Sequence, residues 1–329
     1  MKKIQILGFL LSGFFLLSLI YAGCNYAPTK RRAAVGGFDV ENYDSALRPH
    51  VYHYDSHPRR IVALWQNSIE TLLMLGAGDR IVAAGGLSTP EVLAEANVVP
   101  YEKIPIRTRQ VPDVEMMLML QPDLIVGWLF DFVKQSNGVG RSDFWERRGT
   151  NIYMTTMNGA DYSARHTLED ELRFIRDLGM ITGCQVKAAK LKQAILAEFP
   201  VKNISRSPRV LVISSAARQL SIYTPRTLSG DLLRRLGATV LGAEQQRIGE
   251  DEFISYEQLL LMDPDVIFLQ SSAPGDQEPR ERLYRHPALQ NLRAVKKQRI
   301  FCVPFYLMRC PGVRVLDSIR QFKSGLELS

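Results

Sequence analysis

Two stretches of this chain carry the same order of apolar and polar positions. Residues 114–128 read VEMMLMLQPDLIVGW, and residues 256–270 read YEQLLLMDPDVIFLQ. An offset of 142 positions lays Glu115 on Glu257, Leu118 on Leu260, Pro122 on Pro264, Asp123 on Asp265 and Ile125 on Ile267. Each copy predicts a helix that starts at the Glu and stops at Pro-Asp, because proline lacks an N–H and disfavours helix at the residue before it. The short continuous apolar run that follows suits a strand buried on both faces of a parallel sheet. A helix–turn–strand unit recurring so far along one chain predicts two similar lobes.

The flanking pattern extends each copy. Residues 60–65 (RIVALW) predict a strand, Ser68 to Leu75 a helix ended by Gly76-Ala77-Gly78, and residues 80–84 a second strand, which together form a βαβ unit. Residues 85–114 are polar and irregular, followed past the first copy by a helix near 144–148 and a strand at 151–154. Apolar Leu168, Leu172, Ile175 and Leu178 predict a helix over 167–182. After Gly183 another helix runs from about Cys184 to Phe199, spanning ~24 Å at 1.5 Å per residue, long enough to join two lobes. No Gly/Ser-rich hinge separates the halves, so the lobes are expected to move little. The second half holds a strand at 210–213, a loop at 223–226, a helix at 228–236, the second copy, a strand at 299–303 and a closing helix at 313–326. The fold class is α/β: two Rossmann-like lobes with central parallel sheets, residues 58–183 and 207–329, bridged by one long α-helix within 184–206.

The N-terminus has a different character. Lys2 and Lys3 precede an apolar core from Ile4 to Ile20, then Tyr21-Ala22-Gly23-Cys24. This is the layout of an export signal over residues 1–23. The Ala-Gly-Cys ending is similar to a bacterial lipoprotein box, with Tyr21 where leucine is usual, and predicts lipid on Cys24 and anchoring in the bacterial cell envelope. Residues 24–57 show no sustained period and predict a polar tether, its Lys30-Arg31-Arg32 near anionic headgroups, with folded structure beginning at Pro58.

Composition narrows the function. The 329 residues are 46% hydrophobic and 23% charged, with a net charge of +7. That charge is diffuse, compatible with anionic small ligands or a membrane surface, and no nucleic-acid motif accompanies it. The joint Trp65-Gln66-Asn67-Ser68 lacks the glycines and lysine of a nucleotide loop. No nucleophile elbow, coupled Ser/His/Asp spacing or metal-ligand motif points to an enzyme. His50, His53 and His57 form a conceivable metal tract, but in the tether, and the lobes hold no His/Asp/Glu cluster. Cys184, Cys302 and Cys310 leave an odd count once Cys24 is lipidated; Cys302 and Cys310 close a small loop that a disulfide could span, and Cys184 reads as a buried helix residue.

RRIVALWQNSIETLLMLGAGDRIVAAGG, VEMMLMLQPDLIVGW and FISYEQLLLMDPDVIFLQSS, in that order, resemble the iron-siderophore and cobalamin-binding family of ABC-transporter solute-binding proteins over about residues 58–325. The resemblance implies a ligand held between the lobes and delivered to an ABC permease dimer with its ATPase. It also implies that an acidic residue of each copy, Glu115 and Glu257, meets arginines of the permease. Both fit equally as helix-start residues favoured by the helix dipole. The implied cargo is an Fe(III) chelate, a ferric siderophore first, with haem or cobalamin as alternatives and no resident cofactor; a surface lipoprotein that senses or stores a chelate is the non-transport alternative. Candidate cleft residues are Trp65, Arg107, Arg109, Trp128, Arg218, Tyr223, Arg226, Tyr306 and Arg309. Arginines would pair with carboxylate or catecholate oxygens and aromatic rings would cover apolar ligand faces. Tyr223 or Tyr306 could serve as an axial ligand to haem iron.

Overall fold

The structure, a computed structural model, describes residues 36–87, 89–133, 138–155, 166–199, 207–216, 220–242, 252–309 and 311–327. The export signal, Cys24 and the basic triplet lie outside these residues. Among the described residues, no helix is long and apolar enough to cross a membrane.

Among the described residues the first strand starts at Phe38, twenty residues before the expected Pro58. Strands β1 (Phe38–Tyr43) and β2 (Pro49–Tyr54) form an antiparallel hairpin with Phe38 opposite Tyr54 and Tyr43 opposite Pro49. Val40, Asn42, Tyr52 and Tyr54 point inward and are buried. This corrects the tether expected over 24–57 for residues 38–54, while residues 24–35 lie outside the described ones. The alternation is only six residues per strand, and its inward set mixes Asn with aromatics, so it does not stand out as an apolar stripe. The three histidines of the conceivable but disfavoured metal tract separate: His50 meets Glu146 at 3.1 Å, His53 meets Asp39 at 2.6 Å, and the His57 ring bonds the Ile181 carbonyl at 2.9 Å.

The first lobe follows as β3 (Ile61–Leu64), α1 (Trp65–Leu75), β4 (Ile81–Gly85), α2 (Glu95–Glu102), β5 (Ile106–Arg107), α3 (Val114–Leu120), β6 (Leu124–Trp128), α4 (Leu129–Val133), α5 (Ser142–Glu146) and β7 (Asn151–Thr155). The supposedly irregular stretch 85–114 therefore contains a helix and a short strand. The sheet order is β5-β4-β3-β6-β7, all neighbours parallel. The first strand lies in the middle, so the connections run outward in two directions and the strand order reverses between β3 and β6. The hairpin closes the β7 edge, where the Asn42 carboxamide does the work of a strand: Nδ2 donates to the Met154 carbonyl and Met154 N–H donates to Oδ1, both at 3.1 Å.

Two helices pass between the lobes. α6 (Leu168–Ile181) starts against the second lobe, where His166 N–H donates to the Arg226 carbonyl at 3.1 Å and Leu168 N–H to Asp231 at 3.0 Å. It ends in the first lobe, where Tyr153 donates to Asp177 at 2.9 Å and Arg80 to the Thr182 carbonyl at 2.7 Å. Gly183, at φ +69, reverses the chain where a side chain would strike the His57 ring. α7 (Gln185–Ala197) lies within the segment expected to hold a single bridging helix and returns to the second lobe, where Glu198 meets Arg320 and Lys323, so two helices pass between the lobes where one was expected.

The second lobe comprises β8 (Arg209–Ala216), β9 (Leu220–Tyr223), α8 (Leu228–Arg235), β10 (Thr239–Val240), β11 (Glu252–Ile254), α9 (Tyr256–Met262), β12 (Val266–Ser271), α10 (Glu278–Arg285), α11 (Arg293–Lys296), β13 (Ile300–Pro304), α12 (Phe305–Met308) and α13 (Val315–Glu327). β8, β12, β13 and β10 are parallel, while β9 and β11 extend the sheet antiparallel beyond β8. Tyr223 thus ends a strand, where a loop was expected. Val210, Val212, Val266 and Phe268 turn toward the core shared with the bridging helices, and Leu211, Ile213, Ile267 and Leu269 toward a second core on the opposite face.

The repeat holds at the level of single bonds. Asp123 accepts the Arg59 and Arg60 N–H groups at 2.7 and 2.9 Å, and Asp265 accepts Arg209 N–H at 2.9 Å, so each Pro-Asp carboxylate staples the start of the preceding central strand. Helices α3 and α9 stop at left-handed residues, Gln121 (φ 46) and Asp263 (φ 38), immediately before the prolines.

Candidate ligand cleft

In parallel α/β sheets a ligand crevice forms beyond the carboxyl ends of the strands, where the strand order reverses. In the first lobe this point lies between β3 and β6. Trp65 directly follows β3 and Trp128 ends β6. Their rings stack with centroids 5.0 Å apart and planes 23° apart. Each indole is latched by a hydrogen bond: Trp65 Nε1–H donates to Asp131 in α4, the helix that follows Trp128, at 2.8 Å, and Trp128 Nε1–H to Asn67 in α1 at 3.0 Å. Asp131 also accepts the Trp128 backbone N–H at 2.6 Å. Gly86, just past β4, leaves room for the pair, since a Cβ there would lie 2.9 Å from the Trp65 ring. Trp65 itself sits at φ 68, a left-handed conformation rare for a bulky residue. Both indoles remain partly exposed.

The corresponding point of the second lobe lies between β8 and β12. Tyr223 donates to Gln270 Oε1 at 2.5 Å. Gln270 is the residue that the 142-position offset lays on Trp128, and it was absent from the sequence-derived candidates although the repeat itself pointed to it. Between the lobes lies a cavity of about 650 Å³, walled by Leu93 and Ala94 of the first lobe and by Ser271, Pro304, Tyr306 and Arg314 of the second. Tyr306 is half-buried, with the Arg314 guanidinium 5.7 Å from its ring centroid, and burial raises its hydroxyl pKa above the ordinary value.

The candidate arginines divide. Arg107 turns back on its own chain, donating to the Glu102 carbonyl at 2.8 Å and to the Ile104 carbonyl, so it closes the turn after α2. Arg109 and Arg309 are exposed beyond the ends of β5 and α12, and no hydrogen bond or ion pair holds either among the described residues. Arg226 is half-buried in the turn from β9 to α8 and uses its backbone carbonyl to hold His166. Arg218 and Cys310 lie outside the described residues. Arg314 and Arg320 line the cavity but already face Glu70, Asp317 and Glu198. Cys184 and Cys302 carry free thiols, and burial raises that of Cys302. Among the described residues no group of three potential metal ligands gathers.

Glu115 and Glu257 occupy the same position, second in helices of equal length, both exposed. The caps are separate residues: Asp113 accepts Met116 N–H at 2.8 Å, and Ser255 accepts Gln258 N–H at 3.2 Å. Ser255 hydrogen-bonds Glu257 as well and holds its carboxyl below the ordinary range. Neither glutamate is therefore needed as a cap.

A family model described as periplasmic binding protein matches residues 61–307. The ferric enterobactin-binding periplasmic protein of Escherichia coli is 24% identical over 292 residues, which cover 81% of this chain and 86% of that protein. The achromobactin-binding periplasmic protein of Dickeya dadantii is 24% identical over 257 residues, covering 75% of this chain and 78% of that one. A solved periplasmic binding protein from Veillonella parvula superposes with a TM-score of 0.78 at 30% identity, covering 89% of this chain and 92% of its own. The chain belongs to the periplasmic binding protein family, the solute-binding proteins of ABC transporters.

Proposed function

We propose that this chain captures a ferric siderophore between its lobes and hands it to an ABC permease, tethered to the envelope by lipid on Cys24. The carrying observation is the latched Trp65–Trp128 stack at the point of strand reversal. A partly exposed indole pair fixed by two hydrogen bonds offers a flat, preorganised apolar surface, which suits the aromatic arms of a catecholate chelate. Arg109, Arg226 and Arg309 supply cationic charge for a ferric catecholate, which is anionic, and an arginine fork pairs two oxygens at once. The names of the enterobactin- and achromobactin-binding relatives support an iron chelate as cargo. Glu115 and Glu257 present one carboxylate per lobe to the permease.

The test is a tryptophan-fluorescence titration of residues 25–329 with ferric enterobactin, a ferric hydroxamate, haem and cobalamin. Saturable quenching by the ferric catecholate, lost in Trp65→Leu, supports the reading. Saturation by haem or cobalamin alone overturns the siderophore assignment, and no response from a folded protein overturns chelate capture.

A further inference from the structure

The two copies of the repeat match on their outward faces as well as their inward ones. Met117 and Leu259, separated by the 142-residue offset, are the fully buried residues of α3 and α9. Met119 and Leu261, separated by the same offset, are 84% and 85% exposed. Each lies four residues after its glutamate, which places carboxylate and apolar side chain one above the other on a single helix face. Neighbouring positions differ in part: Val114 corresponds to Tyr256 and Met116 to Gln258 across the repeat, while Leu118 and Leu260 are identical. One exposed leucine needs no explanation. Two large apolar side chains at matched positions, almost wholly in water and each paired with a carboxylate, mark a shared constraint that the fold of neither lobe supplies.

We infer that Met119 and Leu261 seat in two equivalent apolar pockets of the membrane permease, each pocket beside the cation that receives the neighbouring glutamate. The inference rests on the docking role proposed for Glu115 and Glu257. The duplication identifies the occupant. Two copies of one acidic-plus-apolar patch on a single chain fit a partner that presents one complementary site twice, as a two-fold dimer does. The carboxylates steer and orient the encounter, while burial of the apolar side chains slows dissociation.

The experiment measures binding of the full-length chain to its permease–ATPase complex in nanodiscs without cargo, comparing wild type, Glu115→Arg/Glu257→Arg, Met119→Ser/Leu261→Ser and the exchange Met119→Leu/Leu261→Met. All four are checked for an unchanged thermal transition. The serine pair is expected to weaken binding by at least about ten-fold, chiefly through faster dissociation, and the exchange to restore it. Wild-type binding by the serine pair with loss in the arginine pair overturns the apolar contact and leaves the glutamate docking standing. Wild-type binding by both pairs overturns docking on this face altogether. A concentration-dependent dimer of the chain that the serine pair abolishes assigns the face to a second copy and overturns the permease as its occupant.

Discussion

Glu70, wholly buried in α1 of the first lobe, lies 3.0 Å from the guanidinium of Arg314 near the end of the chain. The same carboxylate accepts Ala94 N–H at 2.7 Å and Asn97 Nδ2–H at 2.8 Å, and Gln66 donates to it as well. One residue earlier, Val313 N–H donates to Thr71 at 3.1 Å, and Gly312 at φ +59 lets the backbone approach α1. The C-terminal segment therefore clamps the first lobe from the second. Glu70→Ala leaves Arg314 with Asp317 and the Val92 carbonyl and strips partners from Asn97 and Ala94. Urea unfolding should show a loss of about 3–5 kcal/mol, the cost of breaking a buried pair from one side.

At φ 68, Trp65 holds a backbone conformation that costs a non-glycine residue roughly 1–2 kcal/mol. Strain of this kind persists where the surroundings enforce it, here through the Asp131 bond and the Trp128 stack. Trp65→Gly should consequently be more stable than Trp65→Ala by roughly 1 kcal/mol in chemical denaturation, and both should lose chelate binding. Equal stability of the two variants would show that the left-handed conformation relaxes once the indole is gone.

The repeat was legible in sequence because helix, stop and strand each leave a local signature, and two copies made accidental agreement improbable. The staples explain why Asp follows Pro in both: its carboxylate pairs a strand that starts about sixty residues earlier, a contact no local pattern encodes. The site was only half legible. Trp65 and Trp128 fall at predicted strand ends, so their meeting follows from the parallel sheet order. Arginines carry no such positional mark: Arg107 caps its own chain while Arg109, two residues on, stands in solvent. The hairpin escaped because its inward face holds a single aliphatic residue, Val40, beside Asn42 and two tyrosines.

Asn42 substitutes for an absent strand partner at β7, and both of its bonds are buried. Asn42→Leu keeps the volume but leaves Met154 N–H and C=O unpaired, an expected loss of about 1–3 kcal/mol. Removing residues 36–54 altogether uncovers the β7 edge, and uncovered edges template intermolecular pairing. Light scattering during refolding should rise for the truncated chain and remain at the wild-type level for Asn42→Leu at temperatures where that variant is folded.

Asp263 and Gln121 close the two copies of the repeated helix in the same left-handed conformation, but only Asp263 is charged. Burial pushes its carboxyl up; the Arg293 backbone N–H at 2.9 Å and guanidinium at 2.6 Å outweigh this and leave it below the ordinary 3.8. A carboxyl depressed on folding binds protons more readily in the unfolded chain. Its contribution is thus complete above the unfolded value and is lost as pH falls through the lower folded one. Asp263→Asn retains the left-handed preference but keeps only one of the two oxygens that accept from Arg293, so the charge and one hydrogen bond are removed together. Denaturation midpoints of wild type and variant should differ at pH 7 and converge as pH is lowered from about 5 toward 2. Gln121→Asn in the first lobe, where no carboxylate closes the helix, should shift the midpoint by the same amount throughout that range.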